Sequence, residues 1–330
     1  MDVTAPILEL KGLRTEFNTP AGWVTAVDDL SYAVHPGRTL GVVGESGCGK
    51  SVSSLSILRL VPEPPGRITA GEVWFGDEDL TKVSETRIRQ IRGREIAMIF
   101  QEPMTSLNPM MTIGLQLCEP VMRHQGLSRA AARKRALELM TLVRIPDAAR
   151  WLTGYPHEMS GGMRQRIMIA MALACSPKVL IADESTTALD VTIQAQILTL
   201  LRDLQADLGM AVVMISHDLG VIAETADQVV VMYAGRKVEE ASVHDLFAHP
   251  RHPYTQGLFR AIPNLEKITL GNASVDRLVE IPGTVPALSN LPAGCAFSTR
   301  CPLVHDRCRV EKPTLEEKST GHFAACFEEL

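Results

Sequence analysis

Three short runs in this 330-residue chain carry residue types spaced for chemistry on phosphate. The first is GESGCGKS: Gly44, Glu45, Ser46, Gly47, Cys48, Gly49, Lys50 and Ser51. It fits the pattern G-x-x-x-x-G-K-[ST], in which glycines let successive backbone N–H groups turn inward around phosphate oxygens. An apolar stretch precedes it and a helical pattern follows, so a helix N-terminus adds positive potential at the same place. Lys50 is expected to reach the β- and γ-phosphates of a nucleotide, and Ser51 to ligate Mg²⁺. Cys48 fills a variable position and is assigned no chemistry. The second run, VLIADE, is a buried strand that ends in Asp183 and Glu184. Asp183 would hold Mg²⁺, and Glu184 is the candidate general base for an attacking water. Adjacent carboxylates repel, so both stay charged most easily beside a divalent cation. The third run, MSGGMRQR, opens a helix with a capping hydroxyl on Ser160 and the bare amides of Gly161 and Gly162. It is a second anion-ready helix start.

These runs need elements to position them. Ile7 to Val34 alternates like a pair of strands joined by a turn at Thr19-Pro20-Ala21-Gly22. Thr39 to Val43 is a short apolar strand, and a helix is expected from Ser51 to Leu60. GEVWFGDEDL and EIAMIFQ read as strands, and Met111 to about Ser176 as mostly helical. Further on, VLIADES, AVVMISH and QVVVMYAGRKVEE read as strands, and IQAQILTLLRDLQADL, VIAETA and SVHDLFAH as helices. Strands alternating with helices predict an α/β domain around a largely parallel sheet. After about Ile262 the pattern changes. Prolines recur from Pro263 to Pro313 and no long periodic run follows. The expected boundary lies near 260: residues 1–260 form the main domain, with a helical subdomain at about 102–176, and 261–330 form a small loop-rich extension.

Composition narrows the function classes. At 45% hydrophobic and 22% charged residues, the chain buries a core rather than staying disordered. No apolar run reaches the roughly 18 residues of a membrane span, and no basic-then-apolar start marks a secretory signal. A net charge of -5 argues against a nucleic-acid surface. Seven cysteines are present, and four gather near the C-terminus: Cys295, Cys301, Cys308 and Cys326. Clustering of this kind suggests metal before packing, and a staple would suit a segment with so little core. Four thiolates suit Zn²⁺ or an iron–sulfur cluster, and the C-x5-C-x6-C-x17-C spacing does not choose between them.

The order of the three runs, with Ser-Gly-Gly between the Gly-rich loop and the Asp-Glu strand, resembles the ATP-binding cassette (ABC) ATPases and their LSGGQ-like signature. Met159 and Met163 depart from the usual Leu and Gln but leave the Ser-Gly-Gly core intact. The resemblance implies a P-loop NTPase fold with a mixed sheet, an N-terminal antiparallel β subdomain, a helical signature subdomain and a C-terminal metal-binding extension. It implies roles residue by residue. Gln101 in IFQEP resembles the glutamine that senses Mg²⁺ and the attacking water. Thr187 to Asp190, TALD, resembles the D-loop, and His217 in MISHD the histidine that contacts the γ-phosphate. Phe17 is the expected adenine-stacking aromatic, with Trp23 the alternative. Ser185 stands where the family usually has Pro. QEPMTSLNPMMTIG, YPHEMSGGMRQRIMIAMALACSP, HPRHPYTQGLFRAIP and IPGTVPALSNLPAGCAFSTRCP resemble the oligopeptide/dipeptide import ATPases, a group that includes nickel importers.

That narrower resemblance implies an ATPase at the cytoplasmic face of the membrane, peripheral to it, that powers peptide uptake. Two ATPs would be sandwiched between the Gly-rich loop of one ATPase and the Ser-Gly-Gly tip of a second, expected to be a paralogue. Two transmembrane permease subunits and an extracytoplasmic binding protein complete the expected assembly. The insert from Glu102 to about Ser160, with Met104, Met110 and Met111, would dock a permease coupling helix. The resemblance tips the cysteine cluster toward [4Fe–4S]. Nickel or another small solute is the alternative cargo, and a soluble redox-sensing ATPase the alternative of a different class.

Overall fold

The structure is a computed structural model that describes residues 5–100, 106–184, 191–261 and 280–330. Two sheets organise the chain. The first is a four-stranded antiparallel sheet of β1 (Leu8–Thr19), β2 (Gly22–Val34), β4 (Gly66–Phe75) and β5 (Glu78–Asp79), in the order β2-β1-β4-β5. Its first two strands alternate buried and exposed residues, as a sheet covered on one face should. The second sheet has eight strands. Its parallel part runs β9 (Gln228–Tyr233), β3 (Thr39–Val43), β8 (Ala211–Ile215), β7 (Val179–Asp183) and β6 (Ile96–Ile99). Every residue of β3, β7 and β8 is buried. That is why these strands read as unbroken apolar runs rather than alternating ones.

Register fixes the functional edge. Val42 of β3 and Asp183 of β7 both align with Ile215 of β8, so three carboxyl ends stop together. Ligands bind beyond that edge in open α/β sheets. The helix Lys50–Ile57 leaves β3 through the Gly-rich loop, three residues short of the expected reach to Leu60 at its far end. One core cluster fills the space between this sheet and the helices, including Ile113–Gln125, Arg129–Leu142 and Gly161–Ala172. Each of those three helices starts on a side-chain cap, from Thr112, Ser128 and Ser160 respectively. A second cluster lies between the two sheets, with Leu8, Leu30 and Val73 against Val42 and Ile181. Thr15 and Ser56 join their hydroxyls at 2.8 Å, tying β1 to the helix behind the loop.

The C-terminal region is bound into the main sheet. β10 (Arg236–Ser242) pairs antiparallel with β9 and with β12 (His322–Ala324), and β11 (Glu316–Ser319) completes the edge. Glu239 on β10 is fully buried and accepts from His322 Nε2 at 2.7 Å and from the His252 amide at 3.0 Å. The sequence pattern gives no strand here. EEKS is polar at every position, and its place in the sheet comes from pairing with an existing edge, not from an apolar face of its own.

Candidate nucleotide-binding site

The loop from Gly44 to Ser51 is held from inside and outside. Gly44 has φ +151°, and a Cβ there would lie 2.2 Å from the Met232 carbonyl oxygen. Gly49 has φ +98°, and a Cβ there would lie 2.4 Å from the Ala26 carbonyl oxygen. Both positions therefore demand glycine sterically as well as conformationally. Lys50 is buried and its ammonium donates to the Gly44 carbonyl at 2.7 Å and the Glu45 carbonyl at 3.1 Å, curling the loop around a fixed positive charge. Gly49 sits at the N-cap without a side chain, which leaves the first amides of the following helix uncapped by it. Cys48 is buried beside Lys50, and burial pushes its thiol pKa up. Burial of this kind disfavours the reactive thiolate, in keeping with a position that is assigned no chemistry.

The second half of the site comes from β7 and β8. Ser51 Oγ donates to Asp183 Oδ1 at 3.1 Å, joining residues 132 apart in sequence. Burial raises the Asp183 pKa, with the adjacent Glu184 charge adding to the rise while the Ser51 hydroxyl and Lys50 oppose it. A carboxylate so disfavoured in its charged form is one that a cation would stabilise, and the hydroxyl–carboxylate pair is the hard oxygen set that Mg²⁺ prefers. Glu184 follows in the left-handed region at φ 44°, with its amide on the Ile215 carbonyl at 2.9 Å. This turn points it off the strand, and its Oε1 stands 3.5 Å from His217 Nδ1. His217 is exposed at the end of β8. The structure thus brings together Lys50, Ser51, Asp183, Glu184 and His217.

Ser160, Gly161 and Gly162 stand elsewhere. Ser160 caps the helix Gly161–Ala172, accepting from the Met163 amide at 3.4 Å. Ser160 and Gly161 are exposed, and a Cβ on Gly161 would meet nothing within 4 Å. Phe17 is half-buried on β1 and lies against Gly66, where a Cβ would come within 2.8 Å of its ring. Trp23 is 49% exposed with the Arg67 guanidinium 3.6 Å over its ring. Gln101, Met104, Ser185 and Thr187 to Asp190 lie outside the described residues.

Sequence reasoning missed a layer behind the loop. Tyr254 Oη accepts from the Glu45 amide at 2.8 Å, and Arg300 grips the Glu45 carboxylate with both terminal nitrogens. Arg300 and Tyr254 lie within quoted family-like segments, but nothing in those strings marks a partner 255 residues away.

The metal-binding expectation for the tail is not met. Cys295, Cys301, Cys308 and Cys326 do line one small space, yet no group of three or more His, Cys, Asp or Glu side chains among the described residues is arranged to hold a metal ion. Burial pushes the Cys295 thiol up to about 11 and raises Cys301 and Cys326, so a metal bound there would have to displace their protons. Phe297, Leu303 and Phe327 share the space with the sulfurs, so it is packed as an apolar pocket.

Comparison with known proteins decides the family. The ABC transporter family model matches residues 27–187, and the model for the oligopeptide/dipeptide transporter C-terminal region matches residues 238–308. A probable peptide ABC transporter ATP-binding protein, y4tR of Sinorhizobium fredii, is 54% identical over 97% of this chain and 94% of its own length. The chain belongs to the ATP-binding proteins of ABC transporters. A putative peptide import ATP-binding protein of Brucella melitensis, BMEII0863, is 52% identical over 98% of this cassette chain and 97% of its own length. Among solved structures, the dimeric post-hydrolysis state of the ATP-binding cassette MJ0796 bound to ADP and Pi matches with a TM-score of 0.64. It is 26% identical and covers 72% of this chain and 98% of its own. The cbiO1 cassette of Clostridium perfringens matches in fold with a TM-score of 0.63, at 23% identity, over 74% of this chain and 92% of its own.

Proposed function

We propose that this chain is the ATP-hydrolysing subunit of an ABC importer that takes up di- or oligopeptides. The observation that carries the reading is the Ser51–Asp183 contact, with Glu184 and His217 beside it at one edge of the parallel sheet. Lys50 and the loop amides bind the phosphates of ATP, and the closed ring of Lys50 contacts keeps that charge in place before the nucleotide arrives. Ser51 and Asp183, with Gln101, would hold Mg²⁺, which when bound neutralises charge on the β- and γ-phosphates. Glu184 orients water and accepts its proton as the water attacks the γ-phosphate. His217 lies near enough to Glu184 to contact the same phosphate and hold the base in place. Phe17 is the candidate adenine platform, and Asp190 a second-chain contact. His217, Glu184 and Gln101 thus form the catalytic set.

Ser160 to Gly162 complete the site of a partner ATPase. The exposure of Ser160 and Gly161 supports this, as does the dimeric cassette among the structural relatives, which is bound to ADP and Pi. A groove lined by Met111, Leu115, Met122, Arg129 and Leu152 is the proposed dock for a permease coupling helix. Leu115 and Met122 are 48% and 41% exposed there, more apolar surface than a helix needs to show water. No helix among the described residues is long and apolar enough to cross a membrane, which fits a subunit peripheral to its permease on the cytoplasmic side. We read residues 1–260 as the ATPase unit and 261–330 as the extension.

The peptide cargo rests on the relatives' names and on the match to the oligopeptide/dipeptide C-terminal region. Uptake of labelled peptides by cells lacking this chain tests it. Lost peptide uptake is expected, while intact peptide uptake with lost nickel uptake would reassign the cargo. No step of this function runs through the cysteine tail. The colour, iron and sulfide content of anaerobically purified protein decide whether its four thiols ligate a [4Fe–4S] cluster, Zn²⁺ or nothing. ATPase activity lost selectively on oxidation of such a cluster would favour a redox-sensing role instead.

A further inference from the structure

Glu45 poses an electrostatic problem. It places a carboxylate inside a loop whose amides and lysine are gathered to receive an anion, where an unneutralised negative charge opposes the ligand. The structure resolves it from the far end of the chain. Arg300 is buried, with its side chain 3% exposed. Its Nη1 donates to Glu45 Oε2 at 2.7 Å and its Nη2 to Glu45 Oε1 at 3.0 Å, a two-pronged grip that engages both carboxylate oxygens. The guanidinium is itself fixed. Nε donates to the Pro282 carbonyl at 3.0 Å and Nη2 also to the Ile281 carbonyl at 3.3 Å. The Tyr233 and Phe297 rings stand 5.9 Å from its central carbon. Tyr254 takes the Glu45 amide from the same side at 2.8 Å.

We propose that Arg300 is a positioning residue for ATP binding: by neutralising and holding Glu45, it lets the C-terminal extension set the affinity of the phosphate loop. The inference rests on the reading of Gly44 to Ser51 as the ATP site. Burying a fully hydrogen-bonded arginine is costly unless its charge is used, and here the partner is a loop residue rather than a surface carboxylate. A structural bolt alone would need only to join the extension to the domain, which the β10–β12 pairing and the Glu239–His322 contact already do.

The test is titration of the purified full chain with a fluorescent ATP analogue, alongside ATP turnover of the assembled transporter. Arg300→Gln should weaken nucleotide affinity about tenfold, the size of one unneutralised charge in a partly wet site. It should raise KM correspondingly and leave kcat at saturating ATP within about twofold, since uniform binding is what is lost. Adding Glu45→Gln to Arg300→Gln should recover most of the lost affinity, because it removes the charge that Arg300 masked. Should Arg300→Gln fail to fold, Arg300→Lys keeps the charge without the two-pronged grip and should lie between wild type and Arg300→Gln, at about threefold weaker. Wild-type affinity in a folded Arg300→Gln or Arg300→Lys variant overturns the proposal. So does a lost affinity that Glu45→Gln fails to recover, which would reduce Arg300 to a structural bolt. Lys50→Ala runs beside these as the control: binding that survives it sinks the ATP-site reading itself, a different failure from an inert Arg300.

Discussion

The loop at Gly44 to Ser51 and the tip at Ser160 to Gly162 use the same device, a helix N-terminus that offers backbone amides to an anion. They differ in what completes them. The loop is finished by its own chain: Lys50 is 4% exposed, two glycines are pressed against the carbonyls of Met232 and Ala26, and Tyr254 and Arg300 close the back. The tip is open: Ser160 and Gly161 are exposed, and Ser160 is held through its hydroxyl on the Met163 amide and its carbonyl on the Arg164 amide. A preorganised site can bind alone. An open one acts only when another surface supplies the ligand. This contrast supports the proposed division, with binding at the loop and completion of a neighbour's site at the tip.

The variant expected to have the largest effect engages both devices at once. Glu184→Gln removes the base while leaving the amides and Lys50 in place. Turnover of the assembled transporter should fall by about 10²- to 10⁴-fold, the range for general-base catalysis, while ATP stays bound and locks loop to tip. Phosphate release and the persistence of an ATP-bound assembly on a sizing column read both halves. Normal turnover removes Glu184 from the role. Next in size is Lys50→Ala, which deletes a buried ammonium held by two carbonyls. Nucleotide affinity of the isolated chain should drop by roughly 3 kcal/mol, as for charge-assisted hydrogen bonds to phosphate. Gly44→Ala strikes the loop's shape instead. A methyl 2.2 Å from the Met232 oxygen at φ +151° has no relaxed position. Folding stability should fall by about 2–4 kcal/mol in urea titration, with ATP affinity lost alongside.

The two regions also differ in how legible they were. The loop, the strand VLIAD and the strand AVVMI announce themselves because strands buried on both faces must be apolar throughout, and the glycine spacing is demanded by backbone geometry. Their alignment at Ile215 follows from parallel pairing, so the meeting of Ser51 with Asp183 was readable from order alone. The Ser-Gly-Gly tip was readable as a cap but not as an exposed one, since exposure depends on what packs nearby. Arg300 was illegible. An arginine in a Pro-rich stretch reads as a solvated surface residue, and its burial against Glu45 is decided by the path of the extension back over β9 and β10. The cysteine cluster was legible only in part. Spacing in sequence reported that four thiols gather, which they do, but not that aromatic and leucine side chains share the space.

The smallest expected effect tests the comparison most sharply. Ser160→Ala deletes the hydroxyl that caps the helix Gly161–Ala172 and costs about 1 kcal/mol of local order, within the range for lost N-caps. Because Ser160 belongs to no contact of the loop, ATP affinity of the isolated chain should match wild type. Turnover of the assembly should nevertheless fall severalfold, since the amides of Gly161 and Gly162 then meet the partner's nucleotide with a frayed first turn. Ser160→Asn, an equally good cap, should recover the order of that turn in hydrogen exchange and part of the turnover. If Ser160→Ala instead weakened ATP binding by the isolated chain as Lys50→Ala does, both helix starts would be gripping one nucleotide within one chain, and the division between a self-sufficient loop and an outward-facing tip would be wrong.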